Sequence, residues 1–101
     1  MDSMEVRLRD NPDKSRFEFD LEGQLGIVEY ILAKDRIYLT HSEVPESLGG
    51  KGYGSLITKL TLEHVKASGL KLVSKCPFIT SYIKKHAQWQ EIVDPEHPIE
   101  N

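Results

Sequence analysis

A chain of 101 residues with 39% hydrophobic and 29% charged residues is long enough to form one domain with its own core. Its 16 acidic and 13 basic residues give a net charge of −3, which argues against bulk binding of nucleic acid. The apolar runs are too short for a membrane span and the N-terminus lacks a secretory pattern, so we expect a cytoplasmic protein without a membrane partner.

The first half of the chain alternates between apolar and polar residues, as half-buried β-strands do. Phe17, Phe19 and Leu21, for example, are separated by charged residues, and Glu22-Gly23 supplies a turn after them. We predict strands around residues 6–8, 16–21, 24–32 and 36–41. Because their connections are short, consecutive strands should pair antiparallel and form a four-stranded meander.

From Tyr53 onwards the apolar spacing changes to that of a helix. Leu56, Ile57 and Leu60 follow Tyr53 at the i+3, i+4 and i+7 positions of one helical face, and Gly69 is typical of a helix end. We predict a helix over residues 53–68, a fifth strand over 71–76, and a shorter helix from Pro77 to about residue 86. A helix that joins strands four and five makes those strands parallel, with a right-handed crossover.

These elements predict an α/β (α+β) fold. The expected architecture is a twisted mixed sheet of about five strands, in which an antiparallel meander precedes a β-α-β crossover. The long helix should pack on one face, and a short helix should end the domain at about residue 93. Residues 94–101 contain two prolines and an excess of acidic side chains, which is typical of a loosely ordered tail.

The most informative segment lies between the fourth strand and the long helix. Four glycines, Gly49, Gly50, Gly52 and Gly54, fall within six residues. A loop with so little side-chain bulk can turn its N–H groups towards an anion, and the positive end of the following helix adds to that attraction. The pattern therefore predicts a phosphate site, whereas a plain flexible turn would need fewer glycines.

Two familiar phosphate loops do not fit the spacing of these glycines. The P-loop of nucleoside-triphosphate-binding proteins places its lysine directly after the last glycine, whereas Lys51 precedes it. The dinucleotide fingerprint would put its third glycine at Ile57, inside the predicted helix core. That fingerprint also opens a doubly wound sheet, rather than following a meander.

Residues 49–54 resemble instead the coenzyme A loop of the GNAT (GCN5-related N-acetyltransferase) family, whose pattern is R/Q-x-x-G-x-G/A. The order of the predicted elements is also similar to the GNAT core, and the chain most resembles the minimal GNAT-like members over about residues 5–90. The match is carried by His41, Val44-Pro45, residues 48–54, Glu63-His64 and residues 74–78. One position departs from the pattern, because Gly49 stands where Arg or Gln would contact the pyrophosphate.

The resemblance implies that acetyl-CoA or coenzyme A is the cofactor. In the GNAT fold the pantetheine arm pairs with the backbone of strand four and the pyrophosphate sits on the glycine loop. The residues implied in cofactor binding are His41, Ser42, Glu43, Val44, Gly49, Gly50, Lys51, Gly52, Tyr53, Gly54 and Ser55. The sequence favours neither of two interpretations of Lys51, a contact with phosphate or an exposed lysine that is only solvated.

Two reactive side chains are expected near the thioester, His41 closing strand four and Cys76 closing strand five. Cys76 is the only cysteine, which excludes an internal disulfide and a cysteine-based zinc site, and no metal is expected. At the N-cap of the last helix its thiolate is favoured and can accept the acetyl group, with His41 as base. In the usual GNAT route the amine attacks the thioester directly. The plain alternatives are a buried Cys76 without a role and a surface His41.

The predicted function is acetyl-CoA-dependent transfer of an acetyl group to an amine of a small molecule or a protein. The alternative is a non-catalytic CoA- or acetyl-CoA-binding module, a sensor or an adaptor, because so small a domain lacks the helices with which larger GNATs wall the acceptor site. A third interpretation, a plain interaction domain, predicts no affinity for CoA. The pattern selects neither an acceptor nor an oligomeric state.

Overall fold

The computed structural model describes residues 5–99, which form a five-stranded sheet and two α-helices. The strands are β1 (Leu8–Asn11), β2 (Arg16–Leu21), β3 (Gln24–Leu32), β4 (Arg36–Glu43) and β5 (Lys71–Ser74), and the helices are α1 (Tyr53–Ser68) and α2 (Pro77–Lys85). Short 3₁₀ helices span Pro12–Lys14, Glu46–Leu48 and Ala87–Ile92. Among these residues no helix is both long and apolar enough to cross a bilayer.

The sheet has the predicted topology. Its strands lie in chain order, with antiparallel pairing from β1 to β4. The chain then crosses over through α1, and β5 pairs parallel to β4, with Ile37 opposite Leu72 and Leu39 opposite Ser74. The α/β (α+β) architecture of about five strands is confirmed.

The two faces of the sheet differ in what covers them. On one side, which we call the covered face, Phe17, Val28 and Leu39 are buried in a single core under α1 and α2. Ile57 of α1 and Ile79 of α2 belong to the same core. The opposite side, which we call the open face, carries the alternate residues of each strand, and neither helix packs on it.

A bulge in β4 decides which face its last residues reach. Leu39 lies opposite Tyr30 and His41 lies opposite Glu29, so Thr40 is an extra residue in β4. Ser42, opposite the buried Val28, therefore points to the covered face. His41, which would share the side of Leu39 in a regular strand, points to the open face instead.

The ends of the last two strands differ from the prediction. β4 continues two residues beyond His41, to Glu43, and β5 ends at Ser74 rather than at Cys76. The final contact between the two strands is the hydrogen bond of 2.8 Å that the Lys75 N–H donates to the Leu39 carbonyl. The strands separate beyond this point, so residues 40–43 of β4 have β3 as a partner on one side and no strand on the other.

The chain returns to the sheet after α2 and lies along the outer edge of β5. Val93 forms a parallel bridge with Leu72, and the Asp94 N–H donates a hydrogen bond of 2.8 Å to the Leu72 carbonyl. The buried Asp94 carboxylate also lies 3.2 Å from the Arg36 guanidinium. The domain limits of 1–93 and the loosely ordered tail of 94–101 stay predictions, and residues 1–4, 100 and 101 lie outside the described part.

Candidate functional site

A cavity of about 390 Å³ lies where β4 separates from β5, at the start of α1. Three segments line it: the end of β4, the glycine loop with the first turn of α1, and the first turn of α2. The lining residues are Ser42, Glu43, Val44, Leu48, Gly49, Gly50, Gly52, Tyr53, Gly54, Ser55 and Phe78. The cavity therefore joins the predicted phosphate loop to the strand that was predicted to hold the pantetheine arm.

The backbone of the loop needs glycine at two positions. Gly50 and Gly52 have φ values of 81° and 83°, in the left-handed region that other residues rarely adopt. Among the residues that the structure describes, none accepts a hydrogen bond from the N–H groups of residues 50–55. Since the first N–H groups of a helix have no partner within that helix, these donors are free to meet an anion.

Gly54 has a different reason to be glycine. A Cβ at this position in the first turn of α1 would lie 2.9 Å from Cζ of Phe78. The missing side chain lets the exposed Phe78 ring approach the helix and form a wall of the cavity. Sequence reasoning assigned no site role to Phe78. A signal for this role was available in the sequence. Phe78 is apolar but does not share the helix face of the core residues Ile79 and Ile83.

Most of the residues predicted to bind the cofactor surround the cavity. Two do not line it, His41 and Lys51, whereas Leu48 and Phe78 line it without having been predicted. Lys51 extends to the turn between β2 and β3, where its Nζ lies 3.3 Å from each carboxylate oxygen of Glu22. The assignment of all these residues to cofactor binding remains a prediction.

The structure does not bring His41 and Cys76 together. Cys76 is 5% exposed, and its Sγ lies 3.4 Å from the Oγ of Ser42. The His41 side chain is 52% exposed on the open face, where its Nε2 lies 3.3 Å from Oε1 of Glu43. Because the bulge turns His41 away, Ser42 is the residue of β4 that contacts the thiol. Catalytic roles for His41 and Cys76 stay predictions.

Cys76 occupies the predicted N-cap position of α2, ahead of Pro77. Its side chain makes no capping hydrogen bond, while its carbonyl accepts one of 2.9 Å from the Thr80 N–H. The thiol is in contact with Ser42, which lines the cavity, but Cys76 itself does not line it.

Glu22 connects the β2–β3 turn to the glycine loop, a contact that sequence reasoning missed. Oη of Tyr53 donates a hydrogen bond of 2.6 Å to Oε2 of Glu22. This bond and the contact with Lys51 hold the pKa of the Glu22 carboxyl below its usual value, and the same carboxylate raises the pKa of Tyr53. The residues lie too far apart in sequence for any local pattern to reveal the contact.

The arrangement suits a ligand that is anionic at one end and less polar at the other. The N–H groups of the loop offer hydrogen bonds to an anion, while Val44, Leu48 and Phe78 offer an apolar wall. No group of three or more His, Cys, Asp or Glu side chains within residues 5–99 can hold a metal ion.

Comparisons with known proteins agree with this geometry. A family model described as GCN5-related N-acetyl-transferase matches residues 16–92. Protein NATD1 of Xenopus tropicalis is 27% identical over 105 residues, which cover 94% of this chain and 95% of that relative. Protein NATD1 of Danio rerio is 29% identical over 94 residues, covering 85% and 84%.

A solved structure has the same fold. The NMR solution structure of a GCN5-like protein from Staphylococcus aureus matches with a TM-score of 0.67 and 22% sequence identity. The match covers 94% of this chain and 91% of that one, so the likeness in fold extends over nearly the whole chain.

Proposed function

The chain belongs to the GCN5-related N-acetyltransferase family, and from this we propose that it binds acetyl-CoA in the cavity beside β4 and transfers the acetyl group to an amine. The observation that carries the proposal is the row of N–H groups from residue 50 to residue 55, which have no acceptor among the described residues. These groups lie at the start of α1, where the helix dipole favours a diphosphate.

The separation of β4 from β5 supports a position for the pantetheine arm. Residues 40–43 of β4 pair with β3 on one side only, so their backbone groups on the other side are available. The amide groups of an extended arm can pair with such a strand as an added strand would. An arm in this position connects a diphosphate on the loop to a thioester near Ser42.

Direct attack is the transfer route that the side-chain positions favour. The neutral amine attacks the thioester carbonyl and forms a C–N bond, the C–S bond breaks, and the proton lost by the nitrogen passes to the departing CoA thiolate. An acetyl-cysteine route would need the Cys76 thiol at the thioester, yet this thiol is buried and Cys76 does not line the cavity. It would also need a base, and His41 lies on the opposite face of the sheet.

The same positions favour one rival, a module that binds CoA without catalysis. Neither of the side chains predicted to be catalytic, His41 and Cys76, lines the cavity. A protein that only senses or presents acetyl-CoA needs the loop and the strand, and no reactive group beside them.

Calorimetry with coenzyme A tests the binding step. We expect the protein to bind CoA, and Gly52→Ala to weaken binding about tenfold, because a Cβ at a φ of 83° costs about 1–2 kcal/mol in the loop conformation. Gly69→Ala is the matched control, since Gly69 has a φ of 76° at the far end of α1. Absence of any heat with CoA in the folded protein would overturn the proposal, as would equal effects of the two variants.

Labelled acetyl-CoA separates the transferase from the binding module. Direct transfer predicts acetylation of at least one amine in a mixed pool, with turnover retained in Cys76→Ala and His41→Ala. Binding without acetylation of any amine favours the module. An acetyl group on Cys76, detected by mass spectrometry together with loss of turnover in Cys76→Ala, would instead establish the acetyl-cysteine route.

A further inference from the structure

Glu22 places a negative charge against a loop that offers donors to a negative ligand. Its carboxylate accepts the Tyr53 hydroxyl at 2.6 Å and lies 3.3 Å from Lys51 Nζ through both oxygens. Lys51 is the only basic residue between positions 42 and 58. The carboxylate therefore neutralises the one lysine of the glycine loop.

The turn that carries Glu22 is itself held in place. Glu22 has a φ of 55°, in the left-handed region, and the following Gly23 N–H donates a hydrogen bond of 2.8 Å to Oδ1 of Asp20. This bond closes the turn between β2 and β3, from which the Glu22 side chain reaches Lys51 and Tyr53. The carboxylate is presented by an ordered turn rather than by a long flexible segment.

A carboxylate and a phosphate group compete for the same kind of partner. Both are anionic acceptors for lysine and for hydroxyl groups, and both are attracted to a helix N-terminus. We propose that Glu22 limits the affinity of the loop for phosphate, because a diphosphate must displace the carboxylate before it gains the side-chain contacts of Lys51 and Tyr53. This inference rests on the proposed function, in which the loop binds the diphosphate of coenzyme A.

Lys51 does not line the cavity. Its ammonium group is paired outside the cavity, so in this state the loop offers an anion only backbone donors and hydroxyl groups. The pair is exposed, and exposed ion pairs contribute little to folding. Its main effect should therefore appear in ligand affinity rather than in the free energy of unfolding.

Calorimetry with two probes, inorganic pyrophosphate and coenzyme A, measures this competition. We expect Glu22→Gln to tighten the binding of both probes about threefold to tenfold, because the negative charge is removed and Lys51 is released. Glu46→Gln is the control, since Glu46 lies at the start of the same loop and its carboxylate has no contact with Lys51 or Tyr53. The control should change affinity less than about twofold.

A double-mutant cycle excludes a purely general charge effect. In the wild-type protein Lys51→Met should weaken binding only in part, because Glu22 competes with the ligand for that lysine. In the Glu22→Gln background the same substitution should weaken binding and cancel most of the gain. Additive effects of the two substitutions would overturn the proposal.

The outcomes separate this inference from the proposed function. If the wild-type protein binds neither probe, both fail together. If it binds them, and Glu22→Gln binds no more tightly than Glu46→Gln, the role of Glu22 alone is overturned. Should Glu22→Gln fail to fold, Glu22→Asp withdraws the carboxylate by one methylene with the charge retained, and Lys51 should again contribute to binding.

Discussion

The covered and open faces of the sheet differ in the kind of side chain that they bury. On the covered face, apolar side chains such as Phe19, Val28 and Leu39 pack under two helices and exclude water. On the open face neither helix packs, yet a charged side chain of β2 is buried there. Glu18 is 6% exposed and accepts hydrogen bonds of 2.8–2.9 Å from Arg9, Asn11 and Arg16. Hydrophobic burial should therefore dominate stability on the covered face, whereas hydrogen-bonded charge adds to stability on the open face.

The largest expected difference is between two isoleucines on neighbouring strands. Ile37 is 2% exposed on the covered face and Ile31 is 59% exposed on the open face. Ile37→Ala should lower the free energy of unfolding by about 2–5 kcal/mol, because it removes buried methyl groups and leaves a cavity. Ile31→Ala should change it by less than about 1 kcal/mol. Urea titrations of both variants measure the difference, and equal losses would contradict the assignment of the two faces.

Protonation of Glu18 in acid should lower the free energy of unfolding. The hydrogen bonds from Arg9, Asn11 and Arg16 lower the pKa of Glu18 from 4.5 to about 2 in the folded protein. Between these values the unfolded chain binds the proton more readily, so stability from Glu18 is present above about pH 4.5 and is lost as the pH falls towards 2. Glu18→Gln should be less stable than the wild type at neutral pH, and the gap should narrow in acid.

Urea midpoints of the wild type and Glu18→Gln at several pH values measure that gap. Asp13→Asn, which removes an exposed carboxyl of the 3₁₀ helix Pro12–Lys14, is the control and should not reproduce the narrowing. A gap that is constant with pH would show that the pKa of Glu18 is not lowered.

The smallest effect is expected from a hydroxyl group at the rim of the covered face. Oη of Tyr30 lies 2.6 Å from Oδ1 of Asp10, and burial together with this carboxylate raises the pKa of Tyr30 to about 12. Tyr30→Phe should lower the free energy of unfolding by about 1 kcal/mol, since it removes one hydrogen bond and retains the ring. Spectrophotometric titration should lose its most alkaline phenol in this variant, and an unchanged titration would contradict the contact.

The sequence predicted what depends on local periodicity. Alternation identified the meander, and the helical spacing after Tyr53 identified the crossover, because each pattern reflects which side chains face the core. The ends of β4 and β5 were misplaced, since a strand ends where its hydrogen-bonded partner departs and side-chain chemistry does not mark that point.

The candidate site was predicted only in part for the same reason. The glycine loop has a local signal, whereas the faces reached by His41 and Ser42 depend on the bulge at Thr40, which exists only through pairing with β3. A single extra residue in a strand moves the side chains of all later residues of that strand to the opposite face of the sheet. The contact of Glu22 with Tyr53 joins two loops that no periodicity connects.

The return of the chain along β5 covers one edge of the sheet. An uncovered edge strand presents unpaired backbone N–H and C=O groups, with which a strand of another polypeptide can pair. Here Val93 and Asp94 lie beside Leu72 at this edge, and the Asp94 carboxylate forms an ion pair with Arg36. We expect removal of Val93 and Asp94 to expose this edge of β5 and to favour association between copies, which size-exclusion chromatography would detect.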